Sequence, residues 1–119
     1  ADIITATGTY LGGSISPGLT MRYQAMHQLT GAWPLIEHKT TTETIGTTTE
    51  TSMLSGAYFG LLYELNGRIN QYQGVFDELH TVICGGDATY FVNSLKYKIF
   101  ANQNLVLIGL NQILKYNDQ

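Results

Sequence analysis

At 119 residues the chain is one domain's worth of sequence, and its 44% apolar content allows a real core. Only 13% of residues are charged, against about 25% in an ordinary domain, so part of the surface is covered by something else or is simply rich in Thr, Asn and Gln. A net charge of −3, with six scattered Lys and Arg, excludes the clustered basic face that nucleic acid requires.

Cys84 is the single cysteine, which excludes an internal disulfide and fits a reducing cytoplasm. No apolar run approaches the ~18 residues of a membrane span, and no basic-apolar leader opens the chain. The start at Ala1-Asp2, without Met and directly in a strand-like run, reads as a processed or trimmed product.

Asp2-Ile3-Ile4-Thr5-Ala6 predicts a strand ended by Thr7-Gly8, and an extended run restarts at Thr9-Tyr10-Leu11. Two short runs around a glycine turn make a hairpin. Gly12-Gly13 closes it, as a bulge or as a close backbone approach. Ser16-Pro17 predicts a helix start, with Ser as cap and Pro in the first turn, where no N–H is needed. Leu19, Tyr23, Met26 and Leu29 share one face of that helix, Gly31 stops it, and Pro34 prevents its resumption.

Eight of the twelve residues from Thr40 to Thr51 are Thr. Thr is a poor helix former and a good cap, so the first part is a loop. Thr47 and Glu50 have capping-box spacing and predict the start of a long helix ending near Tyr72. Met53, Leu54, Ala57, Leu61, Leu65 and Ile69 form its apolar stripe. Gly56 and Gly60 each cost about 1 kcal/mol in a helix, which close packing against another helix would offset. Thr81-Val82-Ile83-Cys84 reads as a buried strand. Gly85-Gly86 turns the chain, and Asp87 caps a helix from Ala88 to Leu95. Lys98-Ile99-Phe100 predicts a further strand. A last helix, capped by Asn104, carries Leu105, Leu107, Ile108, Ile113 and Leu114.

The chemistry-bearing residues are few. Gly85-Gly86 lets backbone approach a nucleotide at a helix start, or is an ordinary strand-to-helix turn. Thr47-Thr48-Thr49 presents hydroxyls and N–H groups together, which suits a polar or carboxylate substrate or plain capping. His27, His38 and His80 lack metal-ligand spacing and read as surface or edge residues. Cys84 reads as a small buried side chain, and Trp33 and the eight Tyr as packing or interface residues. No nucleophile motif, phosphate loop or acid–base pair is present, so the residues yield a mixed α+β or α/β domain without a catalytic or metal site.

Four segments in order nevertheless resemble the C-terminal half of the type III pantothenate kinase family. They are Gly12-Gly13-Ser14-Ile15-Ser16-Pro17-Gly18, then Gly46-Thr47-Thr48-Thr49 leading into Met53-Leu54-Ser55-Gly56, then Gly85-Gly86, and finally Leu105 with Gly109-Leu110. The family usually has Asn where this chain has Thr48. The resemblance implies a single ribonuclease H-like domain over residues 1–119, the second of two in the acetate and sugar kinase/actin superfamily. It implies an ATP-dependent kinase for pantothenate, the first step of coenzyme A synthesis, in a cytoplasmic homodimer free of membrane and nucleic acid. The dimer would pack on the long helix at Gly56 and Gly60. Thr49 is implied to contact pantothenate across the dimer interface, and Gly85 and Gly86 to lie near the nucleotide. Mg and a monovalent cation, potassium or ammonium, would be held mostly by residues outside this chain. The family's phosphate loop, general-base segment and cation motif are absent from these residues, so the chain alone is expected to be inactive. A non-catalytic regulatory or transcriptional accessory protein on the same fold is the alternative.

Overall fold

A computed structural model describes residues 1–118. β1 (Asp2–Ile4) and β2 (Tyr10–Gly13) form the expected antiparallel hairpin. Its register shifts between Ile3 and Ile4, and Gly12 there adopts φ +103°. A Cβ on Gly13 would lie 1.8 Å from the Ala1 carbonyl oxygen. Both readings of the Gly-Gly pair therefore hold: Gly12 bends the strand and Gly13 admits the neighbouring backbone.

Helix α1 (Leu19–Gln28) starts two residues after Pro17, with Gly18 as N-cap. Ser16 does not cap it. Its first N–H, on Leu19, donates instead to Asp87 Oδ2 at 3.3 Å, an acceptor 68 residues away. The Pro17 carbonyl accepts from Arg22 Nε at 2.9 Å. The helix ends at Gln28, which leaves Leu29 outside the buried face and exposed.

Helix α2 (Thr49–Gln73) is the backbone of the molecule. Met53, Leu54, Ala57, Leu61 and Ile69 are buried as their spacing predicts, with Leu65 partly so. Tyr58 and Leu62 widen the stripe and join Leu19, Tyr23 and Phe91 in one core. The Tyr58 ring stacks on Phe91 at 5.2 Å, and its hydroxyl reaches the Ser94 hydroxyl at 2.7 Å and the Tyr90 carbonyl at 3.1 Å. An apolar ring with a polar tip can be buried at this position only because both ends find partners. On the outer side Glu64 accepts from Arg22 at 2.7 Å and from Arg68 at 3.1 Å. The nearby Ser16 hydroxyl, followed by Arg68 and Arg22, holds the Glu64 carboxyl below its ordinary range despite partial burial.

β3 (Thr81–Ile83) and β4 (Ile99–Ala101) pair in parallel, Thr81 opposite Ile99. Between them α3 covers only Ala88–Phe91, shorter than the predicted helix to Leu95. The chain leaves the helix in a tight turn, with Ser94 and Leu95 N–H groups both donating to the Phe91 carbonyl while Ser94 engages Tyr58. β3 is not the buried strand its sequence suggests, since Val82 is half exposed. Cys84 is exposed as well, because nothing among the described residues covers that end of the pair. Helix α4 (Leu105–Asn117) follows its predicted cap position at Asn104, without a side-chain cap bond, and buries no residue. The core thus sits between α1, α2 and α3. No helix among the described residues is long and apolar enough to cross a membrane.

Candidate functional site

The start of α2 is built from a threonine run and one glycine. Gly46 lies against the first turn of the helix: a Cβ there would be 2.3 Å from Ser52 N and 2.5 Å from the Thr51 carbonyl carbon. Only glycine lets the incoming chain cross at that distance. The cap is then Thr48, not Thr47. Thr48 Oγ1 accepts from Thr51 N at 3.1 Å, and the Thr51 hydroxyl accepts from the Thr48 and Thr47 N–H groups at 2.9 and 3.0 Å. The capping box is a Thr48–Thr51 pair, one residue later than the Thr47–Glu50 spacing suggests. Glu50 is diverted to an ion pair with Lys39, 2.8 Å away, whose own pKa the bond to Glu50 and that residue's charge hold up.

That register leaves Thr49 as the first residue of the helix, exposed, with neither its hydroxyl nor its N–H bonded among the described residues. Thr49 lines a cleft of about 330 Å³ with Met26, Trp33, Ser52 and Met53. The Trp33 wall is held by its carbonyl, which accepts from His27 Nδ1 at 2.7 Å. Free donors at a helix N-terminus favour an acceptor or a negative charge. Lys39 offsets the carboxylate of Glu50 that would otherwise oppose one.

The second expected site is the turn after β3. Gly85 takes φ +96°, which L side chains rarely adopt, and open space surrounds Gly85 and Gly86. Asp87 does not cap α3 with its side chain; its carboxylate spans to the N-terminus of α1 and ties the turn to that helix. Asp87 lines a different cleft, of about 360 Å³, with Leu19, Tyr23, His38 and Tyr90 among its walls. Thr49 and the Gly85-Gly86 turn are therefore not brought to one pocket. α1 and the segment after it wall both clefts, Met26 and Trp33 on one side, Tyr23 and His38 on the other.

His38 is the residue that sequence reasoning misplaced. It is not a surface histidine but part of an aromatic cluster, 4.4 Å edge-on from Tyr90 and stacked with Tyr23 and Tyr58. Its Nδ1 meets the Tyr23 hydroxyl at 2.9 Å, and its Nε2 is buried without a partner. Burial lowers its pKa, and pushes that of Tyr23 up to about 12 with help from Asp87. No local signal marks His38, because its neighbours come from three separate helices.

The fold and these clefts define a mixed helix-and-strand domain that presents unpaired backbone and hydroxyl donors at a helix start. Among the described residues no cluster of His, Cys, Asp or Glu could hold a metal ion. The sequence profile of the type III pantothenate kinase family matches residues 1–71, and the chain belongs to that family. It is 44% identical over 116 residues to the type III pantothenate kinase of Christiangramia forsetii, aligning 98% of this chain with 48% of that protein. The enzymes of the same name from Bacteroides fragilis and Phocaeicola vulgatus are each 42% identical, over 98% and 99% of this chain and 48% and 49% of theirs. The chain spans about half the length of these curated relatives.

Proposed function

We propose that the chain is the C-terminal, ribonuclease H-like half of an ATP-dependent pantothenate kinase that makes 4'-phosphopantothenate as a cytoplasmic homodimer. The observation that carries the site assignment is Thr49: an unpaired hydroxyl and N–H at the start of α2, held open by Gly46, on a cleft walled by Met26 and Trp33. Pantothenate has what that cleft suits, a carboxylate, an amide and hydroxyls on a short aliphatic chain. The donors take the polar groups and the two apolar side chains take the carbon chain. Thr49 binds and orients; it does not move a proton. The turn at Gly85-Gly86 is the place in this chain where backbone can lie against the nucleotide, since Gly85 needs its conformation and no side chain fills the space. ATP supplies the phosphoryl group. Phosphoryl transfer rests on positioning and charge stabilisation, so a half that positions substrate without the phosphate loop is inactive alone. Mg and the potassium or ammonium ion find no ligand cluster here, and no step is assigned to them.

The two ribbons support the fold assignment. One is antiparallel and one parallel, each of two strands, and a two-stranded ribbon is marginal alone. A strand from the other half completes such a sheet. The dimer uses the open face of α2, where Gly56 and Gly67 have no protein atom near a would-be Cβ and Tyr63 is exposed. Gly60 belongs to the monomer instead, because its Cβ would sit 3.3 Å from Arg22 Nη1.

The test is kinetic and uses the full-length protein with ATP and pantothenate. Thr49→Val is expected to raise the KM for pantothenate about tenfold, the effect of roughly 1–2 kcal/mol when a substrate group loses its partner. The KM for ATP is expected to stay within twofold. Unchanged pantothenate kinetics with reduced stability would make Thr49 structural, and a full-length protein without kinase activity would favour the regulatory reading.

A further inference from the structure

Helix α4 is a helix without a place to lie. It runs 13 residues from Leu105 to Asn117 and buries none of them, whereas α1 buries two and α2 eight. Leu105, Val106, Leu107, Ile108, Leu110, Ile113 and Leu114 are each between 41% and 65% exposed. At 100° per residue, Leu105, Val106, Leu107, Leu110, Ile113 and Leu114 cover an arc of roughly 200°, and Ile108 adds an apolar side chain to the remainder beside Asn111, Gln112 and Lys115. An arc that wide is the pattern of a helix enclosed on most sides. A helix of about a dozen residues is also marginal in water unless its apolar face is covered.

We propose that the apolar face of α4 packs onto the upstream half of the protein, the half that its relatives carry and this chain does not. The inference rests on the reading of the chain as a C-terminal half. The relatives supply the length, since the chain aligns over nearly all of itself with about half of each of them. A covalently attached half is present at millimolar effective concentration, which favours it over a separate partner. Charge excludes the lipid alternative: Lys115 is the only charged residue from Leu105 to Asn117, while a helix that lies on a membrane carries a basic polar face. Strand β4 extends the same requirement, because Phe100, just ahead of α4, is half exposed, as is Val82 opposite it on β3. Parallel strands are normally covered on both faces.

Hydrogen exchange measured by mass spectrometry on the 119-residue chain and on the full-length protein tests this. Peptides covering Leu105–Asn117 should exchange at least a hundredfold more slowly in the full-length protein. In the full-length protein, the pair Leu110→Asn and Ile113→Asn should return the helix to fast exchange, while Gln112→Ala should not. Equal exchange of α4 in the chain and the full-length protein would overturn the proposal, and needs no variant to fold. So would protection that grows with the concentration of the chain alone, which assigns the face to a second copy, or protection that requires anionic phosphatidylglycerol vesicles. Kinase activity read in parallel separates the two inferences: an active protein with unprotected α4 refutes the docking alone, and an inactive one with protected α4 refutes the kinase reading alone.

Discussion

Replacing Gly46 by Ala adds one methyl group, and the structure says where it goes. The new carbon would be 2.3 Å from Ser52 N, 2.4 Å from Ser52 Cα and 2.5 Å from the Thr51 carbonyl carbon, all backbone atoms. Ordinary carbon contacts begin near 3.5 Å, so loop and helix must separate by about 1.2 Å. That movement pulls on the bonds from the Thr47 and Thr48 N–H groups to Thr51 Oγ1 and on the Ser55 bond to the Thr44 carbonyl. Overpacking costs about 1–3 kcal/mol, and the stiffer unfolded chain returns about 0.4–1 kcal/mol, leaving a net loss of about 1–2 kcal/mol. The same methyl at Gly56 meets nothing within 4 Å and removes a helix-interior glycine, so Gly56→Ala should stabilise by up to about 1 kcal/mol. Urea unfolding followed by circular dichroism should move the two midpoints in opposite directions at constant slope, with stabilities about 1–3 kcal/mol apart. A Gly46→Ala protein as stable as the parent would refute the close crossing of loop and helix. If Thr49 binds substrate as proposed, the same variant in the full-length protein should weaken pantothenate binding, since it displaces the first turn of α2.

Other expectations follow from the same contacts. Thr48→Ala should cost about 1 kcal/mol in urea unfolding while Thr47→Ala changes little, because the Thr48 side chain is the cap. Phe91→Ala should cost about 3–5 kcal/mol by calorimetry, since Phe91 is fully buried against Tyr58. His38 is held below its ordinary value of 6.5, so the unfolded chain takes up its proton first. Its contribution is complete above about pH 6.5 and is lost as pH falls toward the lower folded value, and His38→Gln should flatten stability measured across that window. Glu64, held below 4.5, contributes above about that pH and loses its contribution as pH falls through its folded value. Glu64→Gln should remove that acid limb of the stability curve.

What the sequence reveals here is set by range. The hairpin, the stripe of α2 and the strand-to-turn at Gly85 depend on neighbours a few residues apart, and those were legible. The cap of α2 shifted by one because three consecutive positions, Thr47 to Thr49, offer similar hydroxyls, and Lys39, eleven residues away, draws the Glu50 carboxylate out of the cap. The start of α1 was misread because its acceptor, Asp87, comes from the other end of the chain. His38 and Cys84 were misplaced for opposite reasons: one is enclosed by rings from three helices, the other lacks the cover an apolar strand implies. The substrate role proposed for Thr49 rests on the family resemblance. The structure adds that, among the described residues, Thr49 alone of the three leaves both its hydroxyl and its N–H unbonded, whereas the N–H groups of Thr47 and Thr48 are spent on Thr51 Oγ1.

The length of α2 has a mechanical meaning. Twenty-five residues make a rod about 37 Å long. One end carries Thr49. Toward the other, Asn66 accepts from the Lys96 N–H at 3.0 Å and Asn70 from the Tyr97 hydroxyl at 3.2 Å, just ahead of β4. The rod is one uninterrupted helix without proline, so it can act as a lever. A tilt of about 5° about the Thr49 end would carry the far end through about 3 Å. Occupancy of one cleft would thus be legible as a displacement of the strand at the opposite pole, without any signal passing from side chain to side chain.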